Sequence, residues 1–425
     1  MTYSTRRSFL KSSFTAGALA PLAAFGNGFQ NAIEKTPLSS IPSDLKITAI
    51  KCGYIRNGHS LFVKIYSNQD IVGHGEGVDA TPGTYHLVKM MGDRLIGKSP
   101  LNVHRLFEDL RRDGFFEGAQ SGMYVAVLSA VEAALWDLAG KALGLPVYQL
   151  LGGKFRDKIR VYCDTAINTG GRLPGPKDFA AAATEAKSMG FNAMKFDLDQ
   201  QTDPNKYDHY NWTASPAELQ RMVDCVAAAR DAAGPILDIC IDMHGRYDAP
   251  TGHQVAKRLE PFNLLWLEEP IPAESAEAYK LITDESRVPI CAGENLYLAH
   301  GFRRLLEIGA VDIIMPDLQK CGGLGESQRI ANLSNLYYVP FAPHMVASYL
   351  GAMASCHVCA SVPNFLILEW QIYFHKDPMF KEIITFDGPQ VENGFITLSN
   401  KPGIGVEINQ EGMRKYATPG VPFFS

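Results

Sequence analysis

The chain lacks an excess of either charge. Its 40 lysines and arginines are offset by 45 aspartates and glutamates among 425 residues, which gives a formal net charge of −5. Nucleic acids and anionic lipids attract strongly basic surfaces, so this balance argues against a nucleic-acid partner. Beyond its targeting segment the chain also lacks a run of about 18 uninterrupted apolar residues, the length that a membrane-spanning helix needs. We therefore expect a soluble mature protein without stable insertion into a membrane.

The sequence also lacks a cysteine pattern typical of disulfides or zinc. Several of its eight cysteines lie inside apolar runs, such as Cys240 and Cys291, which is typical of small buried side chains. Cys356 and Cys359 have the C-x-x-C spacing, but no second pair of cysteines or histidines lies at zinc-finger distance. The glycine-rich run at 321–327 lacks the spacing of a P-loop. From these motifs we expect no metal, redox or phosphate site.

The N-terminus has the features of an export signal. Arg6 and Arg7 stand before a mild, alanine-rich apolar stretch that runs to about Phe25. The order Ser-Thr-Arg-Arg-Ser-Phe-Leu-Lys resembles the twin-arginine signal, which sends folded proteins across the bacterial inner membrane. We predict a twin-arginine signal and linker over residues 1–35, the twin-arginine export machinery as a partner, and a periplasmic location. Folding in the reducing cytoplasm before export would also explain the free cysteines.

Two blocks of secondary structure are predicted between residues 45 and 155. Three alternating segments, LKITAIKCGYI, SLFVKIYSN and IVGHGEGVD, are separated by short turns and predict an antiparallel meander. Helical periodicity then extends from about 85 to 151, and its clearest helix stops before Gly144 and Pro146.

From about residue 160 the pattern changes to short apolar runs, each followed by a helical stretch. There are eight such runs: RVYCDTA, NAMKFDLD, ILDICIDMH, NLLWLEE, VPICAGE, VDIIMPD, YVPFAPH and FLILEW. Strands that alternate with helices predict a parallel sheet, and eight such units close into a (β/α)₈ TIM-type barrel over residues 160–385. Catalytic residues in such barrels lie at the carboxyl ends of the strands.

In six of these runs the last inward-pointing residue is ionisable, and these residues recur at intervals of 23 to 27 residues. They are Asp242, Glu268, Glu294, Asp317, His344 and Glu369. A ring of carboxylates at one barrel mouth would repel itself unless a cation were present. The first three offer only oxygen ligands, which suit Mg²⁺, with Mn²⁺ as an alternative. Glu269 points to the opposite side by strand alternation and is a weaker candidate.

Several motifs in this half resemble the mandelate racemase branch of the enolase superfamily. They are IDMHGRYD, WLEEP, AGEN, MPDLQKCGG and APH, which occur in that order, and the helix ALWDLAGKALGLPVYQLLGG is similar to the one that joins the two domains of those enzymes. The resemblance covers about 45–425. It implies an N-terminal α+β capping domain at 45–155, completed by a C-terminal segment at 386–425 that packs on it. It also implies removal of a proton α to a carboxylate, with the enediolate held on Mg²⁺.

Two histidines are candidates for proton transfer. His344 with Asp317 matches the histidine–aspartate dyad of the family, in which a carboxylate orients the imidazole and raises its basicity. His244 follows Asp242 by two residues, so strand alternation predicts that both face the same side. The run Asp-x-His-Gly-Arg resembles the sugar-acid dehydratases of the family, the galactonate dehydratases most closely. We favour His244 as the base and His344 as the acid, and the opposite assignment stays open.

The second predicted strand departs from the racemase pattern of Lys-x-Lys. Lys195 remains, where it could neutralise the substrate carboxylate, but Asp197 stands at the position of the second lysine. A carboxylate of ordinary pKa is a poor base for this step, so the substitution argues against racemisation. Asp197 and Arg246 are candidates for substrate binding. Glu369 matches the family residue that hydrogen-bonds the substrate carboxylate.

The sequence therefore predicts a hydro-lyase that dehydrates an aldonate or aldarate to a 2-keto-3-deoxy acid. A cycloisomerase or epimerase acting on a related sugar acid or lactone is an alternative. A periplasmic sugar-acid binding protein without turnover is another, although binding alone needs no base. The capping-domain loops near 57–60 and 113–122 are expected to determine which sugar acid is used. The oligomeric state is open, a homo-oligomer included.

Overall fold

The computed structural model describes residues 40–208, 210–385 and 391–425. The predicted export signal at 1–35 lies outside these residues. Strands β1 (Ile47–Ile55), β2 (Ser60–Ser67) and β3 (Val72–Val78) form the expected antiparallel meander. Helices follow in the order α1 (Tyr85–Leu95), α2 (Val103–Asp113), α3 (Gly122–Leu143) and α4 (Val147–Leu150). Together they make the α+β capping domain.

Helix α3 is the central support of this domain. Among the described residues it is the one helix long and apolar enough to cross a membrane, but 89% of its apolar window is buried inside the protein. A helix that is apolar on all sides belongs in a core. It packs on a glycine face of β3, where a Cβ on Gly73 or Gly75 would overlap the carbonyl oxygens of Ala134 and Ala130. The glycines thus allow the helix backbone to approach the strand.

The second half forms the predicted barrel. Its parallel strands are β4 (Lys158–Asp164), β5 (Ala193–Asp197), β6 (Asp238–Asp242), β7 (Trp266–Glu268), β8 (Ile290–Ala292), β9 (Ile313–Ile314) and β10 (Leu368–Gln371). Its helices are α5 (Pro176–Ser188), α6 (Pro216–Ala233), α7 (Ala249–Leu259), α8 (Ala276–Glu285), α9 (Leu298–Glu307), α10 (Leu324–Leu336) and α11 (Tyr349–Ser361). Because β10 pairs with β4, the strands curl into a ring, which confirms the predicted fold class.

The seventh predicted run, YVPFAPH, is not a regular strand. It fills the gap between β9 and β10 through isolated bridges, in which Phe341 pairs with Ile314 and with Phe365. Pro340 and Pro343 carry no N–H group, so they cannot donate to a hydrogen-bond ladder. The prediction of a regular strand here was therefore wrong, although the segment occupies the expected place in the ring.

The barrel interior below the mouth is filled by side chains from all around the ring of strands. This inner cluster consists of Tyr162, Ala193, Cys240, Trp266, Cys291, Ile313, Met315, Ala342 and Ile367. The rings of Tyr162 and Trp266 meet edge to face with centroids 5.4 Å apart. This packed layer is the floor on which the charged residues of the mouth rest.

The C-terminal segment contacts both domains. The short helices α12 (Tyr373–Lys376) and α13 (Met379–Glu382) precede β11 (Ile384–Thr385), which pairs with β13 (Glu407–Ile408), while β12 (Phe395–Thr397) pairs with β4 of the barrel. Helix α14 (Gln410–Arg414) and the last residues lie against the meander of the capping domain. There Thr418 N donates to Tyr54 O at 2.8 Å, and Phe424 N donates to Cys52 O at 2.7 Å.

Two motifs that were not expected to form sites have structural roles. All eight cysteines are buried with free thiols, Cys356 and Cys359 among them. In the glycine-rich run at 321–327, the N–H groups of Leu324 and Gly325 donate to the carboxylate of Glu132 from α3, at 2.7 and 2.9 Å. A side chain of the capping domain therefore fills the place that a phosphate would take.

Candidate active site

Three carboxylates meet at the carboxyl ends of adjacent strands. Asp242 ends β6, Glu268 ends β7, and Glu294 lies two residues beyond β8. Asp242 and Glu268 are register partners, and one carboxylate oxygen from each of the three lies within 4.8 Å of the others. Their exposed fractions are 1%, 0% and 8%. The structure thus brings the three predicted metal ligands together in a buried cluster.

The donor set of this cluster fits a hard divalent cation. Asp242 Oδ2 is buried and accepts no hydrogen bond from the described residues, although the Lys195 ammonium lies 3.1 Å away. Burial and the nearby Asp242 carboxylate raise the pKa of Glu268 well above its usual range. Crowded carboxylates with an unsatisfied oxygen gain most from an oxygen-preferring ion such as Mg²⁺.

A second group could also hold a cation. It consists of Asp197, Asp242 and His244, whose ligand atoms lie within 4.8 Å of one another. It shares Asp242 with the first group and includes an imidazole, which suits softer ions better than Mg²⁺. Glu269 belongs to neither group, since its oxygens accept from Gly293 N at 3.2 Å and Asn295 Nδ2 at 3.0 Å. We therefore regard the three-carboxylate cluster as the candidate magnesium site.

Lys195 supplies a fixed positive charge beside the cluster. Its side chain is almost completely buried, and its Nζ lies 2.9 Å from Glu369 Oε1 and 3.3 Å from Glu268 Oε1. Burial alone would lower the pKa of Lys195, but the surrounding carboxylates outweigh it and raise the pKa well above its usual range. The surrounding carboxylates therefore favour the charged form of Lys195. Glu369 also accepts a hydrogen bond from Met345 N at 2.9 Å.

His344 and Asp317 form the expected dyad. His344 Nδ1 lies 2.8 Å from Asp317 Oδ2, and a β-bridge joins the two segments. The other ring nitrogen, Nε2, lies 3.0 Å from Glu294 Oε2 and 3.7 Å from Glu369 Oε2. Burial disfavours the imidazolium, but Glu369, Glu294 and Asp317 together raise the pKa of His344 well above its usual range. The dyad therefore favours a protonated ring that points into the mouth.

His244 reaches the mouth by a route that differs from the prediction. Strand β6 ends at Asp242, and His244 has a left-handed backbone with φ 47°, so strand alternation does not orient its side chain. The turn brings His244 Nε2 to 3.8 Å from Asp242 Oδ2. Burial disfavours the imidazolium, but Asp242, Asp199 and Asp197 raise the pKa of His244 to about 11. The side chains alone therefore favour a protonated His244, and a neutral ring would require a dication bound at the neighbouring carboxylates.

His244 has an aspartate partner that sequence reasoning missed. Its Nδ1 lies 2.7 Å from Asp199 Oδ1, and Asp199 Oδ2 lies 3.0 Å from Arg246 Nε. The sequence does contain a pattern that points to Asp199, because polar residues at every second position, Lys195 and Asp197, are followed by Asp199 two residues later. The site therefore contains two histidine–aspartate pairs, one on each side of the carboxylate cluster. Arg246 lines a neighbouring cavity of about 300 Å³ with Gln201 and Trp212.

Two further carboxyl groups lie at the first two strand ends. Asp164 ends β4 and is the register partner of Lys195. Burial, with Glu369 nearby, raises the pKa of Asp164 well above its usual range. Burial likewise raises the pKa of Asp197 to about 6. Asp164 was missed, although it lies within the first run, RVYCDTA.

The comparisons with known proteins agree with this architecture. Residues 43–152 match the N-terminal domain of the mandelate racemase / muconate lactonizing enzyme family, and residues 178–412 match its enolase C-terminal domain-like model. The fold and the strand-end carboxylates thus define an enzyme of the enolase superfamily, as the sequence predicted. The chain belongs to the mandelate racemase / muconate lactonizing enzyme family.

Relatives with assigned names and solved structures extend this result. D-xylonate dehydratase from Haloferax volcanii is 34% identical over 382 residues, which are 90% of this chain and 91% of that protein. D-galactonate dehydratase from Pectobacterium atrosepticum is also 34% identical, over 83% of this chain and 89% of its own length. A mandelate racemase/muconate lactonizing enzyme-like protein from Rubrobacter xylanophilus has a TM-score of 0.85 at 42% identity, and the match covers 90% of this chain and 100% of that one.

Proposed function

We propose that the chain is a magnesium-dependent hydro-lyase that dehydrates a sugar acid, either an aldonate or an aldarate. The observation that carries this proposal is a pair of histidine–aspartate couples on either side of three buried carboxylates. Dehydration needs one group to remove the proton at C2 and another to protonate the departing hydroxyl at C3. The relatives named D-xylonate and D-galactonate dehydratase support the same class of reaction.

Asp242, Glu268 and Glu294 would hold the Mg²⁺ ion, with Mn²⁺ as an alternative. Bound there, the ion supplies positive charge that stabilises the negative charge developing on the substrate carboxylate. Lys195 places a second, permanent positive charge at the same end of the site. Glu369, paired with Lys195, is positioned to contact the substrate carboxylate.

We assign proton removal at C2 to His244 and protonation of the 3-hydroxyl to His344. The C2–H bond breaks toward His244, the C3–O bond breaks with the proton from His344, and water leaves. The resulting enol takes a proton at C3 and becomes the 2-keto-3-deoxy acid. Asp199 and Asp317 hold the two rings in orientation through their Nδ1 atoms. Asp197 and Arg246 are assigned to substrate hydroxyls.

The function is tested with a panel of aldonates and aldarates and a semicarbazide assay for 2-keto acids. A Mg²⁺-dependent signal with at least one acid is expected. A new product without a 2-keto group would indicate a cycloisomerase or epimerase instead. Binding of an acid without any product would indicate a binding protein and would overturn the proposal.

The roles of the histidines are tested by solvent exchange in D₂O. If His244 removes the proton, His244→Asn should show no exchange at C2, whereas His344→Asn should still exchange while failing to dehydrate. The reverse pattern, followed by NMR of the C2 proton, would reverse the assignment. Exchange in both variants would point to a third base, with Asp197 the next residue to replace.

We also propose that the protein is exported to the periplasm by the twin-arginine machinery. The support is the sequence of residues 1–35 alone. Replacing Arg6 and Arg7 together by lysine should leave unprocessed protein in the cytoplasm. Mature protein in the periplasmic fraction of that variant would contradict the proposal.

A further inference from the structure

The four residues that follow His344 are each fixed by a side chain from elsewhere in the protein. This segment, residues 345–348, leads from the histidine into helix α11. The contacts are Glu369 Oε2 with Met345 N at 2.9 Å, Arg56 Nη1 with Val346 O at 3.2 Å, Gln371 Nε2 with Ala347 O at 2.9 Å, and Glu76 Oε1 with Ser348 N at 2.9 Å.

The four contacts come from two different domains. Glu369 and Gln371 belong to barrel strand β10, whereas Arg56 and Glu76 belong to the capping domain. The barrel and the cap therefore alternate along the segment, each holding every second residue. A shift of the capping domain relative to the barrel would strain this segment at two points.

Glu76 is the stronger of the two contacts from the cap. Its carboxylate is 1% exposed and accepts from Ser348 N, from Ser348 Oγ at 2.6 Å and from Gly351 N at 3.0 Å. Charge-assisted hydrogen bonds of this kind are stronger than neutral ones. All three donors belong to the start of α11, so Glu76 ties that helix end, and the segment before it, to strand β3.

We propose that Glu76 is a positioning residue for His344, through which the capping domain sets the placement of the imidazole over the substrate. This inference rests on the proposed function, in which His344 transfers a proton at C3. Glu76 itself contacts no group at the mouth in the described structure. Its effect passes along residues 345–348, and a displacement of the ring by about 1 Å is enough to slow proton transfer by about 100-fold.

The test replaces Glu76 by glutamine, which keeps the size and puts an amide N–H₂ among N–H donors. The kcat for dehydration should fall by about 10- to 100-fold, with KM changed much less. The ratio of C2 exchange to dehydration in D₂O should shift in the same direction as in His344→Asn. Glu76→Asp, which keeps the charge, should recover part of the loss and serves if the glutamine variant does not fold.

The matched control is Asp137→Asn. Asp137 is also a buried carboxylate of the capping domain that accepts backbone hydrogen bonds, from His74 N at 2.8 Å and Ile404 N at 2.7 Å. Within the described part of the chain, its hydrogen-bond and ion-pair partners are His74, Ile404 and Lys141, and none of them lies in residues 345–348. The control should lose stability but keep the wild-type ratio of exchange to dehydration.

A readout independent of turnover separates this inference from the proposed function. The ring ¹⁵N signals of His344, assigned by their loss in His344→Asn, should move in Glu76→Gln and stay in place in Asp137→Asn. Wild-type ring signals and a wild-type exchange ratio in Glu76→Gln would overturn the inference. A wild-type protein that makes no 2-keto acid would overturn the function instead, whatever the NMR signals do.

Discussion

Two groups of buried carboxylates in this protein have opposite surroundings. The first group, here called the seam group, consists of Glu76, Glu132 and Asp137. These residues belong to the capping domain and lie where that domain contacts other parts of the chain. Its members accept hydrogen bonds from backbone N–H groups, for example Glu132 from Leu324 N at 2.7 Å and Asp137 from Ile404 N at 2.7 Å. Each oxygen of this group has a neutral donor that is fixed by the fold.

The mouth group, Asp242, Glu268 and Glu294, has few such donors. These carboxylates face one another, Lys195 and His344. Their charge is balanced by titratable groups rather than by the backbone. Burial is nearly complete in both groups, so burial alone does not identify a functional carboxylate. The partners differ: each seam carboxylate accepts from backbone N–H groups, even where Lys141 also lies beside Asp137, whereas the mouth carboxylates lie mainly among ionisable groups.

Removing divalent cations should have the largest effect and should affect the mouth group alone. We expect EDTA to abolish turnover, and Mg²⁺ or Mn²⁺ to restore it, because the crowded carboxylates then regain their counter-charge. The measurement is the 2-keto-acid assay before and after addition of the metal. Full activity of thoroughly chelated protein would contradict a metal-binding role for the mouth group, and with it the contrast between the two groups.

Glu268→Gln should separate activity from stability. The substitution removes a candidate metal ligand, and we expect kcat/KM to fall by at least about 10²- to 10³-fold. Burial and Asp242 already raise the pKa of Glu268, so a neutral amide should leave the free energy of unfolding unchanged or higher. Denaturant unfolding of the metal-free protein measures the second effect. A marked loss of stability would place Glu268 with the seam group.

Asp137→Asn should give the opposite result. Lys141 lies 2.7 Å from Asp137 and would keep Glu407 and Val72 O as partners, so the loss of the charged acceptor should cost about 1–3 kcal/mol in the free energy of unfolding. The kcat of the folded variant should stay within a few-fold of wild type. Urea unfolding measures the loss of stability. The kcat is measured at a temperature well below the thermal unfolding transition of the variant. A large fall in kcat would mean that the seam group also serves catalysis directly.

Glu132 should make stability depend on pH. Burial raises its folded pKa to about 7 from the ordinary 4.5, so the folded state binds the proton more tightly than the unfolded state. Its contribution is complete below about pH 4.5 and is lost as the pH rises through 7. Between pH 5 and 8 the wild type should lose about 2 kcal/mol relative to Glu132→Gln. Parallel stability curves for the two proteins would contradict this assignment.

The mouth group was predictable and the seam group was not. Each metal ligand ends an apolar run, and the regular length of a βα unit places such ends on one ring. Glu132 carries no comparable signal, because it is one polar residue in an apolar helix and its backbone donors lie 192 and 193 residues away. No local pattern reports a partner at that distance. Glu76 is hidden in the same way in strand β3.

The errors within the site have local causes. The sequence could not reveal the left-handed turn at His244. His244 was therefore placed correctly beside Asp242, but by strand alternation, which does not apply at that turn. Asp199 was missed although it closes the run NAMKFDLD, because it lies two residues beyond the end of β5 and its partner His244 is 45 residues away. The seventh strand was drawn as regular although two prolines interrupt its hydrogen bonds. In each case the strand end, where regular geometry stops, was the least predictable part.

Strand β3 has a consequence for how such a protein can evolve. Gly73 and Gly75 leave no space for a side chain against α3, while the intervening His74 and Glu76 face other partners. Both faces of this short strand are thus constrained. On one face the close approach of α3 leaves no space for a side chain, and on the other face His74 and Glu76 are held by polar partners. Sequence change at residues 73–76 of this strand is therefore more restricted than change in the loops of the capping domain. A lineage could alter those loops while the strand stayed as it is.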